Sequence, residues 1–161
     1  MDIMLLLLLT LGLSHFFHPH VSYGPMVDKA QQSVVYIQNT EGRCSGFMIA
    51  PHRVMTAKHC VGEALTVDNK PATVLRMSEE LDLALLEADV KRPLLTFRDA
   101  PIHRWEHLTA IGHAFGWPRD RDITALQVIV IFTSQPIEPD SANGMIVQGQ
   151  FIGGMSGGPI V

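Results

Sequence analysis

The stretch Phe151-Ile152-Gly153-Gly154-Met155-Ser156-Gly157-Gly158-Pro159 crowds four glycines around one serine. Glycine alone adopts positive φ and admits close backbone approach without steric cost. Such a segment can display a hydroxyl while successive backbone N–H groups converge on an anion beside it. A plain glycine-rich turn has the same composition, so the serine takes its meaning from partners elsewhere in the chain. A serine hydroxyl is a weak nucleophile and needs a base, most often a histidine that a carboxylate orients.

Two upstream segments offer those partners. His59 lies in Val54-Met55-Thr56-Ala57-Lys58-His59-Cys60, where a strand-like run gives way to a small-residue turn. Asp82 is the one polar residue of Leu81-Asp82-Leu83-Ala84-Leu85-Leu86. A carboxylate in such a run is partly desolvated, which costs free energy unless its oxygens are paired. Taken singly, the two also read as a surface histidine and a carboxylate at the entry to a strand.

Taken together, Thr56-Ala57-Lys58-His59-Cys60, Asp82-Leu83-Ala84-Leu85-Leu86 and Gly154-Met155-Ser156-Gly157-Gly158-Pro159 resemble the trypsin-like (chymotrypsin-fold) serine endopeptidases. Their catalytic residues run His, Asp, Ser along the chain, the order found here. The resemblance spans Ser33 to Val161 and implies that Ser156 attacks a peptide carbonyl, His59 moves the proton, and Asp82 holds the imidazole. It implies an oxyanion hole made by the backbone N–H groups of Gly154 and Ser156. It also implies a substrate-pocket floor at Gln150, whose neutrality argues against a preference for Lys or Arg. Protein or peptide substrates follow, with no cofactor and no metal. Cys44 and Cys60 match the family disulfide that ties the histidine loop to the strand Ser45-Gly46-Phe47-Met48-Ile49.

The sequence departs from the family pattern at Met155, where digestive members carry an aspartate that pairs with a newly freed N-terminus. No Ile-Val-Gly-Gly-like start follows the leader either, and both absences imply activity without zymogen cleavage. Lys58 stands where the family mostly has alanine, a change tolerated on an exposed turn. The spacings of 23 residues from His59 to Asp82 and 74 from Asp82 to Ser156 are similar to those of bacterial HtrA-like and phage-type proteases.

Two competing motifs fail on context. Gly154-Met155-Ser156-Gly157-Gly158 fits the G-x-S-x-G pattern of α/β-hydrolases, but there the acid and histidine follow the serine. Only five residues follow Ser156, none of them acidic or histidine. His103-Arg104-Trp105-Glu106-His107 reads H-x-x-E-H, a metalloprotease pattern that needs both imidazoles on one helix face. Pro101 precedes it and the strand-like run Leu108 to Ile111 follows, so a loop is expected and a zinc hydrolase is the distant alternative.

Composition narrows the class further. The 161 residues are 47% hydrophobic and 17% charged with a formal net charge of −4, a globular balance. Without a run of Lys or Arg there is no counterion-release contribution for a polyanion, which argues against nucleic acid as a partner. Ile3 to Leu13 is nearly continuous leucine, long enough for the apolar core of a secretory signal and short of the roughly 20 residues of a membrane span. The expectation is therefore a signal peptide over 1–24 and a secreted or periplasmic chain, with membrane attachment only if the leader persists as an anchor. Two cysteines in an exported chain favour one disulfide over two buried free thiols, and two thiolates alone do not fill a zinc tetrahedron.

After the leader, short β-branched segments are interrupted about every 8 to 12 residues by Gly, Pro, Asn or Asp, the rhythm of a sandwich or barrel. Expected strands are Ser33–Gln38, Ser45–Ile49, Arg53–Thr56, Leu65–Val67, Ala72–Met77, Leu83–Glu87, Leu108–Ile111, Ala125–Phe132, Met145–Val147 and Pro159–Val161. Helix is expected only as single turns at Asp28–Ser33 and Thr56–Val61, and Lys91–Trp105 reads as a connection. The resemblance makes this an all-β chain of two antiparallel Greek-key barrels, 25–98 carrying His59 and Asp82 and 99–161 carrying Ser156. Two-barrel β enzymes run to about 200–250 residues, so the second barrel is expected to be incomplete and the chain a piece of a longer enzyme. The alternative is an inactive fragment or binding module on the same fold.

Overall fold

A computed structural model describes residues 24–116, 123–136 and 143–161. The leader expected over 1–24 lies outside these residues except for Gly24. Among the described residues no helix is long and apolar enough to cross a membrane.

The first element is a nine-residue helix, α1 (Pro25–Ser33), which begins three residues earlier than the single turn expected from Asp28. Pro25 sits at the first helical position, where its fixed φ suits the helix and its missing N–H is no loss. Asp28 lies in the first turn, where a negative charge complements the helix dipole. Packing does the rest, since a helix this short depends on tertiary contacts. Ala30 is buried with Val34 and Ile111, and Val27, Leu95, Ile123, Ala125 and Val161 close around them.

Six strands then form a closed antiparallel barrel: β1 (Val34–Gln38), β2 (Arg43–Ala50), β3 (Arg53–Thr56), β4 (Thr66–Val67), β5 (Lys70–Met77) and β6 (Ala84–Ala88). Their order is β1-β2-β3-β6-β5-β4, and β4 returns to pair with β1 at Ile37↔Val67. Closure removes the open edges that would otherwise invite pairing with another chain. Alternation along the strands aims Val54 and Thr56 of β3, and Ala84, Leu86 and Ala88 of β6, into the interior, as a two-residue period requires. There they meet Val35, Ile37, Met48 and Val67.

The second unit is a three-stranded antiparallel sheet of β7 (His107–His113), β8 (Ile123–Pro136) and β9 (Asn143–Gln148), in the order β7-β8-β9. Leu108, Ala110, Val128, Val130 and Met155 form its core. The last residues run antiparallel to β7 on its free side: Thr109 and Val161 exchange N–H···O bonds of 2.7 and 2.9 Å, and the Ile111 N–H donates to Pro159 O at 2.9 Å. Pro159–Val161 makes one bridge, Ala110↔Ile160, where a full strand was expected.

The expected connection Lys91–Trp105 carries no regular structure, and Leu95 N–H fastens it to Met48 O at 2.9 Å. His103–Glu106 forms a turn that leads into β7. The Glu106 carboxylate accepts bonds from the Arg98 guanidinium and from His103 N–H, and the Arg98 bond above all holds its carboxyl below the usual range.

Candidate active site

Strand pairing explains why His59 and Asp82 meet. Thr56 at the end of β3 lies opposite Ala84 at the start of β6. His59 comes three residues after Thr56 and Asp82 two before Ala84, so both fall just beyond one end of the same ladder. Lys58–Cys60 forms a 3-10 turn that aims the histidine back at the carboxylate. Asp82 then grips His59 twice: Oδ1 accepts the His59 backbone N–H at 2.9 Å and Oδ2 lies 2.5 Å from Nδ1. Partial burial raises the Asp82 pKa, but the hydrogen bonds from the His59 backbone and imidazole outweigh it and hold the carboxyl below its ordinary value. Lys58 is exposed, as expected, and its Nζ donates to Ser78 O at 3.0 Å, bracing the loop that carries Asp82.

The serine loop arrives from the other unit and lodges against β2 and β3. Ser45 N–H donates to Ser156 O at 2.8 Å, and the same carbonyl lies 3.7 Å from Cys60 Sγ, next in the chain to His59. Gly157 adopts φ +80°, and a Cβ there would lie 2.3 Å from Thr56 Oγ1 and 2.4 Å from Ser45 O. At Gly158 an added Cβ would lie 2.0 Å from Ile111 O of β7. These two glycines let one chain segment sit between both units. Gly154 also has positive φ, 96°. Among the described residues neither the Gly154 nor the Ser156 N–H donates to a backbone acceptor. Ser156 is exposed, and no hydrogen bond joins it to the His59 ring among the described residues.

A model of the trypsin-like peptidase domain matches residues 44–161, well over half of the chain. The chain belongs to the trypsin-like peptidase family. Two curated serine proteases of Mycobacterium tuberculosis, MT3772 (strain CDC 1551 / Oshkosh) and Rv3671c (strain ATCC 25618 / H37Rv), are each 26% identical to it over 160 residues. That alignment takes in 89% of this chain but 40% of either relative, so the chain spans about two fifths of their length. Among solved structures, the inactive form of the Rv3671c protease superimposes with a TM-score of 0.73 at 26% identity, covering 89% of this chain and 77% of that one. The active form gives 0.71 at 26% identity and covers 89% and 70%.

In this trypsin-like peptidase domain, Cys44 and Cys60 are joined as a disulfide. Both sulfurs and a ring nitrogen of His59 lie within 4.8 Å of one another, the one grouping of metal-ligand atoms found among the described residues. With the sulfurs bonded to each other, it offers no thiolate to a metal. Met155, the departure from the aspartate of digestive members, is buried with Leu108, Ala110, Val128 and Val130, so an apolar side chain anchors the serine loop. Gln150 is exposed. A cavity of about 260 Å³ is lined by Ser156 together with Phe151, Ile152, Met155, Ala110 and Ile160 among others, and Gln150 is not part of that lining.

Ser45 is the residue that sequence reasoning passed over, having counted it only as a member of β2. It is fully buried. Its oxygens and N–H contact Thr56, His113, Gly154 and Ser156. Cys44 and Met48 of the same strand face the barrel interior, so Ser45 points outward and is buried by the second unit, and no local pattern marked its hydroxyl as one that needs partners.

Proposed function

We propose that the chain is a serine endopeptidase working through His59, Asp82 and Ser156. The observation that carries this reading is the double hold of Asp82 on His59. A carboxylate on Nδ1 places the ring proton there and leaves Nε2 as the basic nitrogen. His59 Nε2 takes the Ser156 proton as Oγ attacks the scissile carbonyl carbon, and the Gly154 and Ser156 N–H groups receive the developing oxyanion. The C–N bond breaks as His59 returns the proton to the leaving amine, and water then hydrolyses the acyl-enzyme by the same proton route. The hydrogen bond from Ser156 to His59 forms with substrate, since such contacts are often long in the free enzyme.

The apolar lining beside Ser156, with a neutral Gln150 nearby, favours an uncharged side chain on the substrate. None of the described residues that line this cavity is charged, so they offer no compensating partner to a desolvated Lys or Arg. A disulfide beside the catalytic turn and the leucine-rich leader support action outside the cytoplasm, secreted or periplasmic. Because buried Met155 replaces an aspartate that would await a new N-terminus, activity needs no zymogen cleavage.

A fluorophosphonate probe tests the assembled site. The parent chain is expected to label at Ser156, Ser156→Ala not at all, and His59→Ala at least about 10³-fold more slowly. A folded parent chain that does not label would overturn the enzyme reading in favour of a binding module.

A further inference from the structure

Between Gly154 and Ser156 the backbone is held from outside by one residue of the first barrel. Ser45 Oγ donates to Gly154 O at 2.7 Å, and Ser45 N–H donates to Ser156 O at 2.8 Å. The Ser45 hydroxyl itself accepts the His113 N–H at 2.8 Å, which directs its proton toward Gly154. Thr56 Oγ1 in turn donates to Ser45 O at 2.7 Å, fixing the strand that makes the clamp.

We propose that Ser45 is a positioning residue for the oxyanion hole, its side chain and backbone clamping the carbonyls on either side of the Met155–Ser156 pair. This inference rests on the protease reading above. Each peptide unit is planar and trans, so holding the carbonyls of residues 154 and 156 limits how the peptide between them, which carries the Ser156 N–H, can rotate. Glycine at 154 has no side chain to restrict its own torsions, so the restraint has to come from a neighbour. Phe115 supplies a second hold on the other flank. Its N–H donates to Gly153 O at 2.6 Å, on the peptide whose N–H belongs to Gly154, and Phe115 takes φ 56° to do so. A bulky residue in that region marks a backbone that its surroundings over-determine. Oxyanion-hole donors act through preorganisation, so loosening them slows the chemical step and leaves ground-state binding in place.

The test uses p-nitrophenyl acetate as a generic acylating substrate and the fluorophosphonate probe, on the parent chain, Ser45→Ala, Ser45→Cys and Ser33→Ala. Ser33 is a control because it is equally buried, donates to Met48 O at 3.4 Å, and touches nothing at the site. The expected result for Ser45→Ala is an acylation rate about 10- to 100-fold lower, with the half-saturating substrate concentration unchanged and probe labelling slowed by the same factor. Ser45→Cys, which keeps a weaker donor at nearly the same volume, should fall between parent and alanine. Ser33→Ala should lower the melting temperature while keeping the acylation rate within about twofold.

An active parent whose Ser45→Ala and Ser45→Cys variants acylate no more slowly than Ser33→Ala would overturn the inference alone. If Ser45→Ala does not fold, Ser45→Cys decides by the same comparison. A folded parent that neither acylates nor labels overturns the protease reading, and this inference with it.

Discussion

The unit that holds His59 and Asp82 and the unit that carries Ser156 reach order by different routes. In the first, six strands close on themselves, and β3 and β6 deliver the histidine and the aspartate to the same end of one ladder. In the second, three strands lie side by side, and the segment bearing Ser156 has a single ladder neighbour, β7. Its remaining holds come partly from its own unit, through buried Met155 and the Phe115 N–H on Gly153 O, and partly from β2 and β3 of the barrel. His59 and Asp82 therefore both sit on one closed barrel. Ser156 lies on the seam, and its segment is held from both units.

The seam between the units is where that contrast breaks most easily. Gly157→Ala puts a methyl group 2.3 Å from Thr56 Oγ1 at a φ of +80°, so the serine loop has to move. Fluorophosphonate labelling is expected to fall at least about 100-fold, while hydrogen exchange of the β1–β3 amides stays slow. Fast exchange throughout the barrel would show that the units do not differ in independence.

A matched pair of truncations sharpens the comparison at smaller scale. Val54 in the barrel and Val130 in the sheet are both fully buried. Val54→Ala is expected to cost about 2–3 kcal/mol in urea unfolding and Val130→Ala about 1–2, because an open sheet relaxes more readily into the space left behind. Equal losses would mean that the sheet packs as rigidly as the barrel.

The smallest effect concerns acid. The Asp82 carboxyl titrates below its ordinary value in the folded chain. Its contribution to stability is therefore complete above the unfolded value near 3.9 and disappears as pH falls through the lower folded value. Between pH 5 and 3 the parent should lose more stability than Asp82→Asn. With 57% of the Asp82 side chain exposed, the difference should be under about 1 kcal/mol. Parallel losses for the two chains would place the Asp82–His59 contact outside the energetics of the barrel.

Much of this was legible beforehand because it is carried by local pattern. Two-residue alternation marked the barrel strands, with β3 expected and found at Arg53–Thr56. The strands of the second sheet run further than expected, β7 on to His113 and β8 from Ile123 to Pro136, because pairing with a neighbour continues past the apolar run that announces a strand. Helix α1 was underestimated for a related reason. Its stability lies in Ile111 and Val161, which sit far from it in the chain. Met155 was legible as a departure from the family, but its role as a buried anchor was not. Ser45 was invisible as a functional residue, since its partners Gly154 and His113 are 109 and 68 positions away.

The sequence by itself determined the residue chemistry of this protein: a histidine, an aspartate and a serine in family order, glycines where the backbone must take positive φ, and cysteines matching the family's disulfide. These are properties of residue type and short-range spacing, which local sterics and side-chain pKa dictate. Only the tertiary structure decided that Asp82 holds His59 by two atoms, that Gly158 is needed for close contact and Gly157 for contact as well as for its positive φ, and that Ser45 spans the seam. Each of those depends on how two separately patterned units seat against one another. Distances across that seam come from the packing of both units together, and no single segment encodes them.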